Sequence, residues 1–202
     1  MDKLNMSSNN ELDKQQRRTM AIVMLYPVGI LLAGIALNFF LLGVNPYVIS
    51  LPSDGAMYAL IIAVVLLIVN HTWIMTSTEL VRVRFKMYST PEEWVASGTN
   101  EKNAPELGVR ELKRRHDIHH NTTENVVCYV LLSLIFAFSS PTLIAAQVWI
   151  IGFAIARLGY TYSYLTGKDN VRGLFMTLGL LAMFGMASNL VISCLIGKIA
   201  WF

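Results

Sequence analysis

Charge is scarce in this chain. Asp, Glu, Lys and Arg make up 14% of its 202 residues, against about a quarter in soluble domains. The scarcity is also uneven. None of the four types occurs from Thr19 to Ser53, from Gly55 to Thr78, from Asn125 to Ala156 or from Gly173 to Gly197. Runs of that length exclude an ordinary soluble fold, because a bilayer span needs roughly 20 apolar residues. The net charge of +3 points to no nucleic-acid partner, which would call for a strongly basic face.

Cysteine and histidine are short as well. The two cysteines, Cys128 and Cys194, both lie inside apolar runs. They read as small buried hydrophobes, and neither has a charged neighbour that would make a reactive thiolate. There are four histidines. His116-Asp117-Ile118-His119-His120 fits the H-x-x-H-H pattern of membrane di-iron enzymes, but such centres need several histidine boxes, and His71 stands alone. His116, His120 and an acid leave a single metal as a geometric alternative; the expectation is that no metal is held. No internal repeat or low-complexity tract is present.

What the chain does have is five apolar blocks. They predict an all-α polytopic transmembrane helical bundle. Residues 1–19 form a polar N-terminal segment, expected to be a short mobile tail. Residues 20–44 form a first transmembrane helix, read as a retained anchor rather than a cleaved signal peptide, because no small-x-small cleavage site follows it. Residues 57–199 form the main membrane domain. Its helices are expected at about 57–87, 106–138, 142–165 and 171–199, with Ser139-Ser140-Pro141 as a tight break and residues 88–107 as the longest connection. Asn70 and His71 are polar points within an apolar helix and read as helix–helix contacts. Trp201 and Phe202 read as an interfacial aromatic end.

Lys and Arg are distributed asymmetrically. Segments 1–18, 82–115 and 166–172 hold four, eight and two of them, and the intervening segments 45–56 and 139–143 hold none. The positive-inside rule therefore places the N-terminus and the 82–115 loop in the cytoplasm and the C-terminus on the other side. The protein is expected in a bacterial inner membrane or an endoplasmic-reticulum-type membrane.

The most polar stretch, residues 114–125, carries three of the four histidines and runs directly into an apolar helix. Burying such groups costs several kcal/mol unless they are paired. On a helix, Asp117, Asn121 and Glu124 share a stripe, and His120 reaches Glu124. A basic anchor at the membrane surface is the bland reading. Alternating topology brings this stretch to the same membrane face as Arg82, Tyr160, Tyr164 and Arg172, a polar mouth on a helical bundle. Arginines there suit carboxylates, Asn and Glu suit amide and amine groups, and Tyr hydroxyls add neutral donors. Arg172, in the first turn of a helix, adds its charge to the positive end of the helix dipole and would stabilise a thiolate or oxyanion. Its alternative role is snorkelling to headgroups.

His119-x-Asn121-x-x-Glu124-Asn125, before an apolar helix that ends in Ser-Pro, resembles a segment of the MAPEG superfamily, the membrane-associated proteins of eicosanoid and glutathione metabolism. Val81-Arg82-Val83-Arg84 with Tyr88 and Pro91-Glu92-Glu93 is similar to the family's first-helix end and following loop. Ala156-Arg157, Tyr160-Thr161, Tyr164-Leu165 and Arg172 are similar to its later motifs. The resemblance covers about residues 57–197 and is nearest the branch of microsomal glutathione transferases and prostaglandin E synthases. It implies a four-helix bundle, to which residues 20–44 add an extra N-terminal helix. It also implies a homotrimer, with glutathione bound between neighbouring subunits.

The glutathione contacts implied by the resemblance are Arg82, Asn121, Glu124, Tyr164 and Arg172. His120 stands where the synthase branch has an arginine, and Tyr160 where the family has a histidine. Arg172 falls at the position that stabilises the thiolate. Arg157 and His119 match supporting positions, expected to pair with Glu124. Asp117 and Gly173 also depart from the synthase pattern. These departures favour a glutathione transferase or peroxidase over prostaglandin synthesis: an enzyme adding glutathione thiolate, the co-substrate, to lipophilic electrophiles or reducing lipid hydroperoxides. The alternative is a non-catalytic lipid- or glutathione-binding protein of the same type.

Overall fold

The computed structural model describes residues 2–199, with side chains for residues 14–197. Trp201 and Phe202, expected as an aromatic end, lie outside the described residues. The long helices are α1 (Asp2–Leu37), α2 (Asp54–Phe85), α4 (Glu106–Phe138) and α7 (Asp169–Ile199). Two short pieces, α5 (Leu143–Ala146) and α6 (Gly152–Leu165), are joined by a π-helical turn at Gln147–Ile151 into one continuous span. Among the described residues, five helices are long and apolar enough to cross a membrane. The fold is an all-α transmembrane bundle.

Local chemistry sets the helix ends. Ser53 caps α2 by accepting from the Ala56 N–H at 3.3 Å, and Thr142 caps α5 by accepting from Ala145 at 3.2 Å. Such caps satisfy orphan donors at a helix start. α2 ends at Lys86, which takes the left-handed conformation at φ 51° and closes the turn onto Arg82 and Val83 carbonyls. The long connection is not bare loop. It holds the short helix α3 (Pro91–Ala96), with Pro91 in its first turn and Thr90 as its cap, and a 3₁₀ turn at Glu101–Asn103.

The core is built from small residues on α2 and large ones on its partners. Ala56, Ala59 and Ala63 pack with Phe136, Phe153, Trp149 and Met186. Small residues let membrane helices approach closely. The Tyr129 and Phe153 rings stack 4.0 Å apart at 5°. The Tyr129 hydroxyl donates to the Ile150 carbonyl at 3.0 Å, inside the π-helical turn. A π-turn disturbs the regular ladder, and this side chain bonds a carbonyl within it.

Three differences from the sequence reading have physical causes. The backbone of α1 is helical from Asp2, so the polar segment expected as a mobile tail is helical ahead of the span that begins at Lys14. Cys128 and Cys194, expected to be buried, are free and exposed: an apolar residue on a membrane helix can face outward as readily as inward. The third difference is the way α1 is held. Asn38, in the π-turn Asn38–Leu42 that ends it, is fully buried and donates to the Gly185 carbonyl at 2.8 Å and to Ser188 Oγ at 2.9 Å. Its Oδ1 accepts from Trp149 Nε1 at 2.9 Å and from Asn189 Nδ2 at 3.2 Å. Gly34 makes this crossing close: a Cβ there would sit 3.2 Å from the Gly185 nitrogen. α1 is thus pinned to α7 and to the α5–α6 span.

The connections after α1 and α4 meet at one end of the bundle. Asn45 Nδ2 donates to the Ser140 carbonyl at 3.0 Å, and the Ser50 and Ser140 hydroxyls are 2.6 Å apart. The α2–α4 connection and the α6–α7 turn lie at the other end, where the candidate site begins.

Candidate functional site

The site is built on α6, α4 and the first turn of α7. Arg157 of α6 is only 2% exposed. Its Nη1 donates to Asn121 Oδ1 of α4 at 3.2 Å, and Asn125 Nδ2 fixes the same residue from below by donating to the Asn121 carbonyl at 2.7 Å. The guanidinium lies 4.4 Å from the centroid of the Tyr160 ring and 5.9 Å from that of Phe153. A buried cation is costly unless it is paired. Among the described residues, no carboxylate pairs with Arg157; one amide and two aromatic faces take that role.

From Arg157 the contacts step toward the end of the bundle. The Tyr160 and Tyr164 rings are 5.7 Å apart, one helical turn on. The Arg172 guanidinium then lies 4.9 Å from the Tyr164 ring centroid. Two tyrosines, their rings tilted by 57°, therefore lie between two arginines. Arg172 sits in the first turn of α7, and its Nη1 is 3.3 Å from Asp169 Oδ1. Gly159 makes room for this packing, because a Cβ there would meet the Phe175 ring at 2.3 Å.

The other candidate residues are placed elsewhere. His120 Nε2 and Glu124 Oε1 are 3.1 Å apart, as the four-residue spacing predicts, and both side chains are more than half exposed on the outer face of α4. The expected pairing of Arg157 with Glu124 is not formed: Arg157 takes Asn121, and Glu124 takes His120. Asn121 and Glu124 lie one turn apart on α4, and it is the earlier of the two that meets Arg157. His119 does not join Glu124 either. Its ring lies 5.6 Å from that of His71 on α2, in a groove on another side of α4. Arg82 bonds Glu79 at 2.5 Å and lines a cleft with Tyr88 and Glu93, near the start of the long connection. Asn121, Tyr160, Tyr164 and Arg172 thus form one contact series with Arg157; Glu124 with His120, and Arg82 with Glu79, stand apart from it within a single chain.

Among the described residues, no group of three or more His, Cys, Asp or Glu side chains is arranged to hold a metal ion. The sequence reading did not single out Asn38 as a junction. A lone Asn in an apolar run was its only signal, and Asn70 gives the same signal without any hydrogen-bond partner among the described residues.

The sequence model of the MAPEG family matches residues 60–192, a range that contains every candidate residue named above. Prostaglandin E synthase of Equus caballus is 26% identical over 148 residues, covering 72% of this chain and 94% of that protein. Microsomal glutathione S-transferase 1 of Sus scrofa is 30% identical over 118 residues, covering 57% of this chain and 76% of that protein. The same transferase of Rattus norvegicus is 27% identical over 128 residues, covering 62% and 83%.

Proposed function

Because this chain belongs to the MAPEG family, we propose that it is a membrane-embedded glutathione transferase or peroxidase. The observation that carries the reading is Arg172 at the start of α7, its guanidinium over Tyr164 and in line with Tyr160 and Arg157. A free thiol has a pKa near 8.5, so little of it is thiolate at neutral pH. A guanidinium at the positive end of a helix dipole favours the anion. Glutathione sulfur is held at Arg172, while Asn121, Tyr160 and Tyr164 orient the peptide. The thiol proton leaves to solvent. The thiolate attacks an electrophilic carbon, a carbon–sulfur bond forms, and the leaving group departs with its electron pair. With a lipid hydroperoxide, two glutathione thiols are oxidised to a disulfide, and the hydroperoxide is reduced to an alcohol and water.

Glutathione binding is completed between copies in a homotrimer. Glu124 and His120 are 59% and 78% exposed on a helix that crosses the membrane. An acid facing lipid is expensive, and a neighbouring copy would cover it. Arg82, remote from Arg172 within one chain, would then reach the glutathione of the next subunit. The lipophilic second substrate enters from the bilayer. The N-terminus and the 82–115 loop face the cytoplasm, where glutathione is supplied.

One contact favours the second reading, a non-catalytic lipid- or glutathione-binding protein. Asp169 is 3.3 Å from Arg172 and partly neutralises the charge that thiolate formation needs. The two readings separate in two measurements on detergent-purified protein. A thermal-shift titration with glutathione tests binding, and conjugation of a generic aryl halide tests turnover. A shift with conjugation supports the enzyme; a shift without it supports the binding protein; no shift removes glutathione from both.

A further inference from the structure

The charges around Arg172 do not match those of free glutathione. At its γ-glutamyl end, glutathione carries a carboxylate and an ammonium on one carbon, and these offset each other. Its glycine carboxylate has no such neighbour, and the thiolate adds a second uncompensated negative charge. Arg172, its side chain 39% exposed, can meet one of the two. Arg157 is not free to meet the other: it is buried, and its Nη1 donates to Asn121. Arg82 is remote within one chain, and its Nη1 is taken by Glu79.

What stands beside the contact series is an acid. Asp117 precedes Asn121 by four positions on α4 and shares its stripe, about 6 Å nearer the α2–α4 connection at 1.5 Å per residue. Its side chain is exposed and makes no hydrogen bond or ion pair among the described residues. Asp117 and Arg172 both act electrostatically on Tyr160, one from α4 and the other from α7. The cations nearest to Asp117 on its own helix do not neutralise it by contact. Arg114 Nη1 is 3.6 Å from Glu111 Oε1, His120 Nε2 is 3.1 Å from Glu124 Oε1, and Lys113 is exposed one turn further out. A ligand lying across Tyr160 thus meets a cation toward α7 and an acid toward α4.

We propose that the thiol co-substrate is a glutathione-type peptide whose glycine carboxyl is capped by an amine-bearing group, with the ammonium of the cap seated at Asp117. This deepens the glutathione reading and rests on Arg172 as the partner of the thiolate. A free glycine carboxylate at Asp117 would face a like charge, which disfavours binding. An ammonium there gains a charge-assisted hydrogen bond from an acceptor that has no other partner. A neutral carboxamide lies between the two, because it removes the repulsion and adds only a neutral donor. The γ-glutamyl end needs no cap, since its carboxylate already has an ammonium beside it.

The test is isothermal titration calorimetry on full-length protein in detergent micelles. Glutathione, its carboxamide and its aminopropyl amide are offered separately, both amides being at the glycine carboxyl. The aminopropyl amide should bind about fivefold or more tighter than glutathione, as one exposed ion pair and the loss of one like-charge contact predict. The carboxamide should fall between them. Added salt should shrink the preference in the wild type, because exposed charges are screened; this arm needs no variant. Asp117→Asn should bring the three ligands level, and Asp117→Lys should reverse their order. Glutathione binding as tightly as the aminopropyl amide, a preference indifferent to salt, or one that survives Asp117→Asn would overturn the proposal and leave glutathione as a ligand. Binding of none of the three by the wild type would overturn both the proposal and the glutathione reading.

Discussion

Arg157 and Asn121, 36 positions apart in sequence, are joined by a 3.2 Å hydrogen bond in which the guanidinium donates and the amide oxygen accepts. This bond connects α6 to the polar start of the α4 span. It also fixes the amide oxygen of Asn121.

Asn121→Ala should therefore act on stability as well as binding. Arg157 would keep its burial and lose its acceptor, which typically costs about 1–3 kcal/mol. A lower thermal unfolding temperature in detergent, without glutathione present, is the expected result. Arg157→Lys should not substitute for Arg157, because an ammonium lacks the planar face that lies against Tyr160. An unchanged unfolding temperature for both variants would mean that the bond carries nothing.

The N-terminal helix supplies a second stability test. Asn38→Leu removes the partner of Trp149, Gly185, Ser188 and Asn189 at once. Ser188 and Asn189 keep the Gly185 and Gly43 carbonyls as partners, but the buried Trp149 Nε1 loses its acceptor, which should cost roughly 1–3 kcal/mol. Gly185→Ala should also destabilise, by about 1–3 kcal/mol, because its Cβ would meet the Trp149 ring at 2.5 Å. Both are read by thermal unfolding. If Asn38→Leu is neutral, α1 is an appendage after all.

Much of the architecture was legible because charge vanishes from the spans. The breaks at Ser139-Ser140-Pro141 and after Leu165, and the His120–Glu124 pair, follow from local spacing. The Arg157 partnership was not legible in the same way. It depends on how α4 is set against α6: Asn121 and Glu124 share a stripe one turn apart, and spacing alone does not say which of them meets Arg157. Asn38 was hidden for a related reason. Its four partners lie more than 100 positions away, and no local pattern distinguishes it from Asn70. The exposure of Cys128 reflects the same geometry: an apolar residue on a membrane helix faces either the core or the outside, and composition does not say which.

Assembly can be checked directly. The proposed homotrimer, in which a neighbouring copy covers the exposed Glu124–His120 pair, should be seen by native mass spectrometry in mild detergent at micromolar concentration. Glu124→Lys should shift the population toward monomer, because it sets a cation beside His120 and desolvates it at the contact between copies. A wild-type protein that is only monomeric under those conditions would contradict the assembly.

The most direct measurement is the ultraviolet difference absorbance of the glutathione thiolate on binding, followed in wild type and Arg172→Ala. The wild type should show the thiolate band at neutral pH. Arg172→Ala should lose it, with turnover falling roughly 10- to 1000-fold, as loss of one charge contact in the transition state does; glutathione affinity should fall less. Retention of both the thiolate band and full turnover in Arg172→Ala would contradict the assignment of thiolate activation to this arginine.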